Sequence, residues 1–189
     1  SSRDNTIKLF NINGNNYKVL SYHTNDVYKI IELKNKQLVS CSEDSSVIVY
    51  FKENNEYKMD YKITTNGPSY SVVQTNKNEI CFSEKNNNAI CFFDLLERKR
   101  IKTIENISIR NGAYLKMLMI TEDLLFVGGS NKINIINVHQ HKWIREIDSP
   151  GSGWISAVYL LNAKTILTGD DSGIIKQWKI EGDNLILIS

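Results

Sequence analysis

The 189-residue chain is poor in cysteine and proline and has no long apolar run. Its three cysteines, Cys41, Cys81 and Cys91, are too few and too scattered to form a disulfide framework or a zinc site. No apolar stretch approaches the roughly 20 residues that a membrane-spanning helix needs. These absences exclude a disulfide-rich secreted scaffold and a helical membrane protein. We therefore expect an intracellular protein, cytoplasmic or nuclear, with no membrane partner.

The chain also has no large excess of charge of one sign. The chain has 23 basic and 21 acidic residues, and its net charge is +2. Such a balance favours neither a nucleic-acid nor a membrane partner. The one local basic cluster, Glu97-Arg98-Lys99-Arg100, is typical of a solvated loop or strand edge. Nucleic-acid binding by a face around Lys99 and Arg100 stays open only as the weakest alternative.

The sequence also lacks recognisable catalytic and cofactor motifs. His139 and His141 share one face of a strand and could hold a metal, but a third ligand is missing, which favours a solvated loop. The glycines at 128–129 and 151–153 lack the lysine and the helix of a phosphate loop. The pair Asp170-Asp171 is typical of a turn more than of a cation site. We expect no catalytic residue, cofactor or metal.

What the sequence does contain is a repeat. Five segments share a polar turn, an alternating β-branched run and a bulky last residue, and those last residues are Phe10, Tyr50, Phe93, Ile136 and Trp178. The intervals between them are 40, 43, 43 and 42 residues. Two short strand-like segments precede each run from the second onward, and one amphipathic segment follows each run. Four short strands in about 42 residues predict one blade of a β-propeller.

These segments resemble the WD-repeat family, whose signature is a small-residue turn, an aspartate and a β-branched strand that ends in Trp-Asp. The nearest matches are TGDDSGIIKQWKI, SCSEDSSVIVYF and SSRDNTIKLFNI. Only Trp178 and Asp94 retain a member of the Trp-Asp pair. The resemblance covers essentially the whole chain and implies an all-β propeller of four-stranded antiparallel blades. The expected units are a half blade at 1–21 and blades at 22–63, 64–106, 107–148 and 149–189.

The blade count predicts an open arc. About four and a half blades are present, whereas WD-repeat propellers typically have about seven. We expect a fragment of a seven-bladed propeller, because only a closed ring protects the faces of every blade. An open arc would expose the faces of its end blades, and it would be completed by a missing segment, by another chain or by self-association.

The family's structural residues match only some blades. In the family, a histidine, a serine or threonine, an aspartate and a tryptophan form a hydrogen-bonded tetrad. The second unit supplies His23, Ser40 and Asp44, with Tyr50 in the tryptophan position. The last unit has no histidine and supplies Thr168 and Trp178, with Ser172 at the turn. The resemblance therefore implies a structural role for these residues.

The family's interaction positions imply a protein-binding surface. These positions lie at the start of the innermost strand and just before the turn aspartate, and they correspond to Asp26, Tyr28, Glu43, Ser69, Ser71, Lys85, Ala113, Leu115, Ser130, Trp154, Ser156 and Asp171. Trp154 is the expected anchor, since tryptophan often dominates binding energy; packing between blades is the alternative. Trp143, on an outermost strand, is expected to cover a blade edge.

Two functional hypotheses follow. The chain is a scaffold that presents propeller loops to peptides or other proteins, or it is the substrate-recognition propeller of a larger enzyme or ubiquitin-ligase-type assembly. Asp26, Tyr28 and Glu43 give one sector an acidic edge, which predicts a basic or lysine-bearing peptide partner.

Overall fold

A computed structural model describes residues 2–11, 17–107, 115–151 and 153–189, and within these ranges the regular structure consists of strands and turns without a helix. The periodicity of two in the apolar residues accounts for this, because alternating side chains point to opposite faces of a strand. In the described part of the chain no helix is long and apolar enough to cross a membrane.

Within the described residues, eighteen strands form five antiparallel sheets, and the strands are numbered in chain order. The first sheet has two strands, β1 (Ile7–Phe10) and β2 (Tyr17–Leu20). The second comprises β3 (Val27–Glu32), β4 (Leu38–Ser42), β5 (Ser46–Glu53) and β6 (Glu56–Thr64). The third comprises β7 (Val72–Asn76), β8 (Glu79–Glu84), β9 (Ala89–Asp94) and β10 (Lys99–Ile104). The fourth comprises β11 (Lys116–Met119), β12 (Leu124–Gly128), β13 (Lys132–Asn137) and β14 (Lys142–Asp148). The fifth comprises β15 (Ile155–Asn162), β16 (Thr165–Asp170), β17 (Ile175–Glu181) and β18 (Asn184–Leu187).

The bulky residues that define the sequence repeat occupy equivalent sites. In each four-stranded sheet the residue lies on the third strand and pairs with an aliphatic residue of the second strand. The pairs are Tyr50 with Leu38, Phe93 with Ile80, Ile136 with Leu125 and Trp178 with Ile166. The repeat in the sequence is therefore a repeat in space.

Consecutive sheets pack face to face, and a separate apolar core fills each of the four spaces between them. Val47 and Val49 of the second sheet, for example, pack with Phe82 and Phe93 of the third. Each of the three inner sheets is buried on both faces, which is why its central strands read as nearly continuous apolar runs.

The first strands of the four-stranded sheets meet at a common axis. Contacts join β3 to β7, β7 to β11 and β11 to β15. The ammonium of Lys29 on β3 even reaches the carbonyl oxygen of Met117 on β11, at 3.2 Å. Four-stranded antiparallel blades stacked around an axis, without ring closure, are a partial β-propeller. This confirms the predicted fold class.

Both ends of the arc expose apolar side chains. On β17 of the last sheet, Ile175 is 72% exposed, whereas the equivalent Val47, Ile90 and Ile133 are fully buried by the next sheet. At the other end Phe10 is 69% exposed, although its equivalents on the four-stranded sheets are buried. The sheet that would cover each of these faces is not among the described residues.

The basic cluster is neutralised by acidic side chains. Arg98 lies 3.0 Å from Asp60 and stacks over the ring of Tyr61. Arg100 lies 2.7 Å from the buried carboxylate of Glu84 and also donates to the carbonyl of Thr64 on the preceding sheet. These contacts attach neighbouring sheets to each other.

Candidate functional site

One edge of the propeller is defined by a backbone hydrogen bond that recurs in three sheets. The N–H that follows the second strand donates to the carbonyl of a residue shortly before the first strand. The bonds are Glu43 to Asp26 at 2.9 Å, Lys85 to Pro68 at 3.0 Å and Asp171 to Trp154 at 3.0 Å. The side chains of Asp26, Glu43, Lys85, Trp154 and Asp171 therefore share this edge, and together with Tyr28 and Ser156 we call them the rim.

The sector between the second and third sheets is an aromatic and charged patch. The Tyr28 hydroxyl donates to a carboxylate oxygen of Glu43 at 2.6 Å. The Tyr28 ring meets the ring of Tyr70 edge-on, with centroids 4.8 Å apart, and the Lys85 ammonium lies 5.6 Å from the centre of the Tyr70 ring. These contacts hold the Tyr28 hydroxyl against Glu43 and the Tyr28 ring against Tyr70.

Trp154 is held by its backbone while its side chain stays accessible. Its N–H donates to Oδ1 of Asp171 at 2.6 Å, and its indole is 40% exposed. Gly153 permits this approach, because a Cβ there would lie 2.8 Å from both Asp170 and Asp171. Of the two alternatives from the sequence, the exposed rim position describes Trp154 better than packing between blades.

Several of the expected interaction residues are inaccessible. Ser69, Ser71, Leu115 and Ser130 are buried, so each offers little surface to a partner. Ser69, Ser71 and Leu115 precede the first strands of their sheets, and Ser130 follows a second strand. Ala113 lies outside the described residues. The accessible candidates are therefore the rim residues alone.

A buried chain of hydrogen bonds joins the four tetrad positions of the second sheet. The Tyr50 hydroxyl lies 3.0 Å from Oγ of Ser40, which lies 2.7 Å from Nε2 of His23, whose Nδ1 lies 2.9 Å from Asp44. Burial lowers the pKa of His23 and raises that of Tyr50 to about 12. Burial also raises the pKa of Asp44, but hydrogen bonds from Ser46, the Thr24 N–H and His23 outweigh it, and the pKa falls to about 2.

The last sheet uses a shorter version of this network. The Trp178 indole N–H donates to Oγ1 of Thr168 at 2.9 Å. In place of a histidine, the buried ammonium of Lys176 lies 3.0 Å from Asp170, which also accepts a hydrogen bond from Ser172 at 2.6 Å. Hydrogen bonds from Ser172 and Lys176 lower the pKa of Asp170 below its usual value. Asp170 thus acts as a turn residue bonded to its own loop.

Reactive groups are few in the described residues. No group of three or more histidine, cysteine, aspartate or glutamate side chains there is arranged to hold a metal. The three cysteines are free and buried, and burial raises the pKa of Cys41 to about 12. A buried, protonated thiol is a poor nucleophile.

His141 departs from the solvated loop expected for the segment His139 to His141. Its Nε2 lies 2.9 Å from the buried carboxylate of Glu79, and its ring packs on Phe92 of the third sheet. His139 instead pairs with the exposed Asp123. Sequence reasoning missed the first contact because 62 residues separate its partners.

Trp143 is the other partly exposed tryptophan. It lies on the outermost strand β14, and its indole N–H donates to Oδ1 of the buried Asn134 at 3.1 Å. It borders a groove of about 570 Å³ between β10 and β14. The hydrogen bond to Asn134 agrees with the expected covering of a blade edge.

Known structures share this fold. The chain aligns with the β-propeller domain of Cps50 (Swd1) from Myceliophteria thermophila at a TM-score of 0.78 and 14% identity, over 98% of this chain and 65% of that one. It aligns with a chain of a mitotic checkpoint complex at 0.79 and 10% identity, over 99% and 60%. It aligns with the WD40 β-propeller domain of Doa1 at 0.77 and 15% identity, over 96% and 60%. No protein-family model and no curated protein matches the sequence.

These alignments confirm, at the level of fold, the resemblance inferred from the repeats. The chain has the fold of a WD-repeat propeller and spans 60 to 65% of the length of the three solved propellers.

Proposed function

We propose that the chain is a protein-binding scaffold that presents its rim to peptides or other proteins. The observation that carries this proposal is the accessible indole of Trp154, fixed by backbone hydrogen bonds to Asp171 on an otherwise polar edge. A rigid, partly exposed tryptophan among polar neighbours is typical of an interface anchor.

The charge of the rim favours a basic partner. Three rim carboxylates, Asp26, Glu43 and Asp171, stand against the single ammonium of Lys85. Such an edge attracts lysine- or arginine-bearing segments and repels acidic ones. The partner that we propose is therefore a peptide with basic side chains beside an apolar group that packs on Trp154.

The test compares two tryptophans of similar exposure. Immobilised chain captures proteins from a lysate, and mass spectrometry quantifies them for the unmodified chain, Trp154→Ala and the control Trp143→Ala, whose indole is 45% exposed. Loss of an anchor costs about 2 kcal/mol or more, so the capture of rim partners should fall roughly 30-fold in Trp154→Ala alone. Equal losses in both variants would place the binding surface elsewhere.

Charge reversal tests the class of partner. Fluorescence anisotropy with a lysine-rich and an uncharged serine-rich peptide, each containing one leucine, should show binding of the lysine-rich peptide only. Glu43→Lys should weaken that binding, and Glu122→Lys, an exposed charge reversal outside the rim, should not. Equal binding of the two peptides would overturn the basic-partner proposal while leaving the scaffold proposal standing.

We further propose that the open face of the fifth sheet is covered when the protein works. A further segment of polypeptide, another chain or a second copy would each bury the apolar side chains around Ile175. Recognition of substrate within a larger enzyme or ubiquitin-ligase-type assembly would use the same rim.

A further inference from the structure

A lysine lies near the propeller axis, and the two acceptors of its hydrogen bonds are neutral. The ammonium of Lys29, on β3, donates to Oγ of Ser71 at 3.3 Å and to the carbonyl of Met117 at 3.2 Å. Ser71 leads into β7 of the third sheet, and Met117 lies on β11 of the fourth. The side chain thus connects three successive sheets at their centre.

The position is electrostatically costly. Burial lowers the pKa of Lys29, and the nearby ammonium of Lys116 lowers it further. Among residues 2–11, 17–107, 115–151 and 153–189, no carboxylate forms an ion pair with either lysine. The contrast is Lys176, a buried lysine whose charge is balanced by Asp170 at 3.0 Å. Lys29 is partly buried, and a partly buried charge without a counter-charge costs free energy, so its position needs another explanation.

A cavity of about 420 Å³ adjoins both ammonium groups. All four innermost strands or their leading segments contribute to its wall, with Tyr28 and Tyr70 on one side and Ala157 of β15 on another. An ammonium has three N–H donors, and Lys29 directs two of them to Ser71 and Met117. Within the described residues, the third N–H of Lys29 and the ammonium of Lys116 have no hydrogen-bond acceptor, and both lysines line this cavity.

We propose that this axial cavity binds an anionic oxygen group, a carboxylate or a phosphate, through Lys29 and Lys116. The bound anion supplies the counter-charge that the described residues lack, and hydrogen bonds between ammonium and anion are the stronger, charge-assisted kind. Tyr28, Tyr70 and Ala157 give the cavity apolar surface beside the two lysines. This site is separate from the anchor on the rim, and it does not rest on the proposed peptide-binding function.

The experiment measures anion binding by the whole chain. Isothermal titration calorimetry and thermal unfolding are carried out with inorganic phosphate, pyrophosphate and hexaglutamate. Lys29→Met and Lys116→Met each remove one charge from the cavity, and Lys102→Met removes one from the exposed strand β10 as the matched control. An anion that binds the folded chain raises the melting temperature.

At least one probe should bind and stabilise the unmodified chain, and each cavity substitution should weaken that binding about tenfold or more. Lys102→Met should bind as the unmodified chain does. Without an anion, Lys29→Met should be at least as stable as the unmodified chain, because it removes a partly buried charge that has no counter-charge among the described residues. Binding of phosphate or pyrophosphate identifies a free anion as ligand, whereas binding of hexaglutamate alone identifies a peptide carboxylate.

Failure of all three probes to bind would overturn the proposal, as would binding that both cavity substitutions leave unchanged. If Lys29→Met fails to fold, Lys29 is a structural residue and its ammonium is already compensated, and Lys116→Met then decides whether the cavity binds an anion. Trp154→Ala should leave anion binding unchanged, so failure here is distinguishable from failure of the rim.

Discussion

Oγ of Ser40 lies 2.7 Å from Nε2 of His23 and 3.0 Å from the hydroxyl of Tyr50, so a single serine oxygen joins two buried polar side chains. Tyr50 stands at one end of this chain, and removal of its hydroxyl leaves Ser40 still bonded to His23. Removal of the Ser40 hydroxyl takes this partner from both the Tyr50 hydroxyl and Nε2 of His23. The cost of an unsatisfied buried group exceeds the net gain from one hydrogen bond, so the middle position matters most.

We predict that Ser40→Ala lowers the free energy of unfolding by about 2–3 kcal/mol, whereas Tyr50→Phe lowers it by about 1 kcal/mol. Urea unfolding followed by circular dichroism measures both variants against the unmodified chain. If Tyr50→Phe costs as much as Ser40→Ala, the hydrogen-bonded chain contributes less to stability than its geometry suggests.

The same network predicts how stability depends on pH. Burial lowers the pKa of His23 below its ordinary 6.5, so the unfolded chain binds the proton more tightly than the folded one. The stability contributed by neutral His23 is complete above pH 6.5 and is lost as pH falls from there to the folded-state pKa. Asp44, lowered from 3.8 to about 2, adds a second loss between those values.

His23→Gln should therefore be less stable than the unmodified chain at pH 7, yet lose less stability between pH 7 and pH 5. The urea concentration at the midpoint of unfolding, measured at half-unit intervals of pH, gives the slope of stability against pH. His139→Gln, which removes an exposed histidine paired with exposed Asp123, is the control and should keep the slope of the unmodified chain. If the stability of His23→Gln depends on pH as that of the unmodified chain does, a group other than His23 causes this dependence.

Sequence periodicity was sufficient to predict the sheets. The bulky residue on the third strand of each four-stranded sheet recurs at an interval of about one blade, and its pairing partner on the second strand is always aliphatic. Regularity of this kind is local, since each sheet is a meander of strands that are adjacent in the chain. The hydrogen-bonded positions His23, Ser40, Asp44 and Tyr50 were inferred through the family resemblance and lie within hydrogen-bonding distance of one another.

The contacts between sheets could not be predicted in this way. Lys29 meets Met117 across 88 residues, and no repeat pattern encodes that pairing. The accessibility of the expected interaction residues could not be predicted either, because it also depends on contacts between sheets. Ser69 and Ser71 occupy positions equivalent to exposed ones, but neighbouring sheets bury them. Small polar residues carry no sequence signal that separates a buried site from an exposed one.

The exposed face of the last sheet predicts self-association. Ile175 occupies the position at which Val47, Ile90 and Ile133 are fully buried, and the nearby Tyr159 is also exposed. We expect the unmodified chain to form dimers or larger species whose fraction rises with concentration, because this association buries apolar surface.

Light scattering at several concentrations should show a lower mass for Ile175→Lys and for Tyr159→Lys. The control is Leu96→Lys, which replaces an apolar side chain of 70% exposure in the turn between β9 and β10, away from both end faces. A well-folded monomer at every concentration of the unmodified chain would contradict this prediction, and an equal effect of Leu96→Lys would place the contact elsewhere.

Two histidine–carboxylate pairs of equal length allow burial to be tested by itself. His141 lies 2.9 Å from Glu79 and His139 lies 2.9 Å from Asp123, but the first pair is mostly buried between sheets and the second is exposed. Loss of His141 leaves the buried carboxylate of Glu79 with Thr75 as its remaining side-chain partner. His141→Ala should therefore lower the free energy of unfolding by about 1–3 kcal/mol, and His139→Ala by less than about 0.5 kcal/mol.

Urea unfolding at pH 7 measures both variants. The double variant His141→Ala,Glu79→Gln should recover part of the loss, because it removes the buried negative charge of Glu79 that His141 no longer contacts. Equal effects of the two single substitutions would mean that the contact between His141 and Glu79 does not hold the third and fourth sheets together.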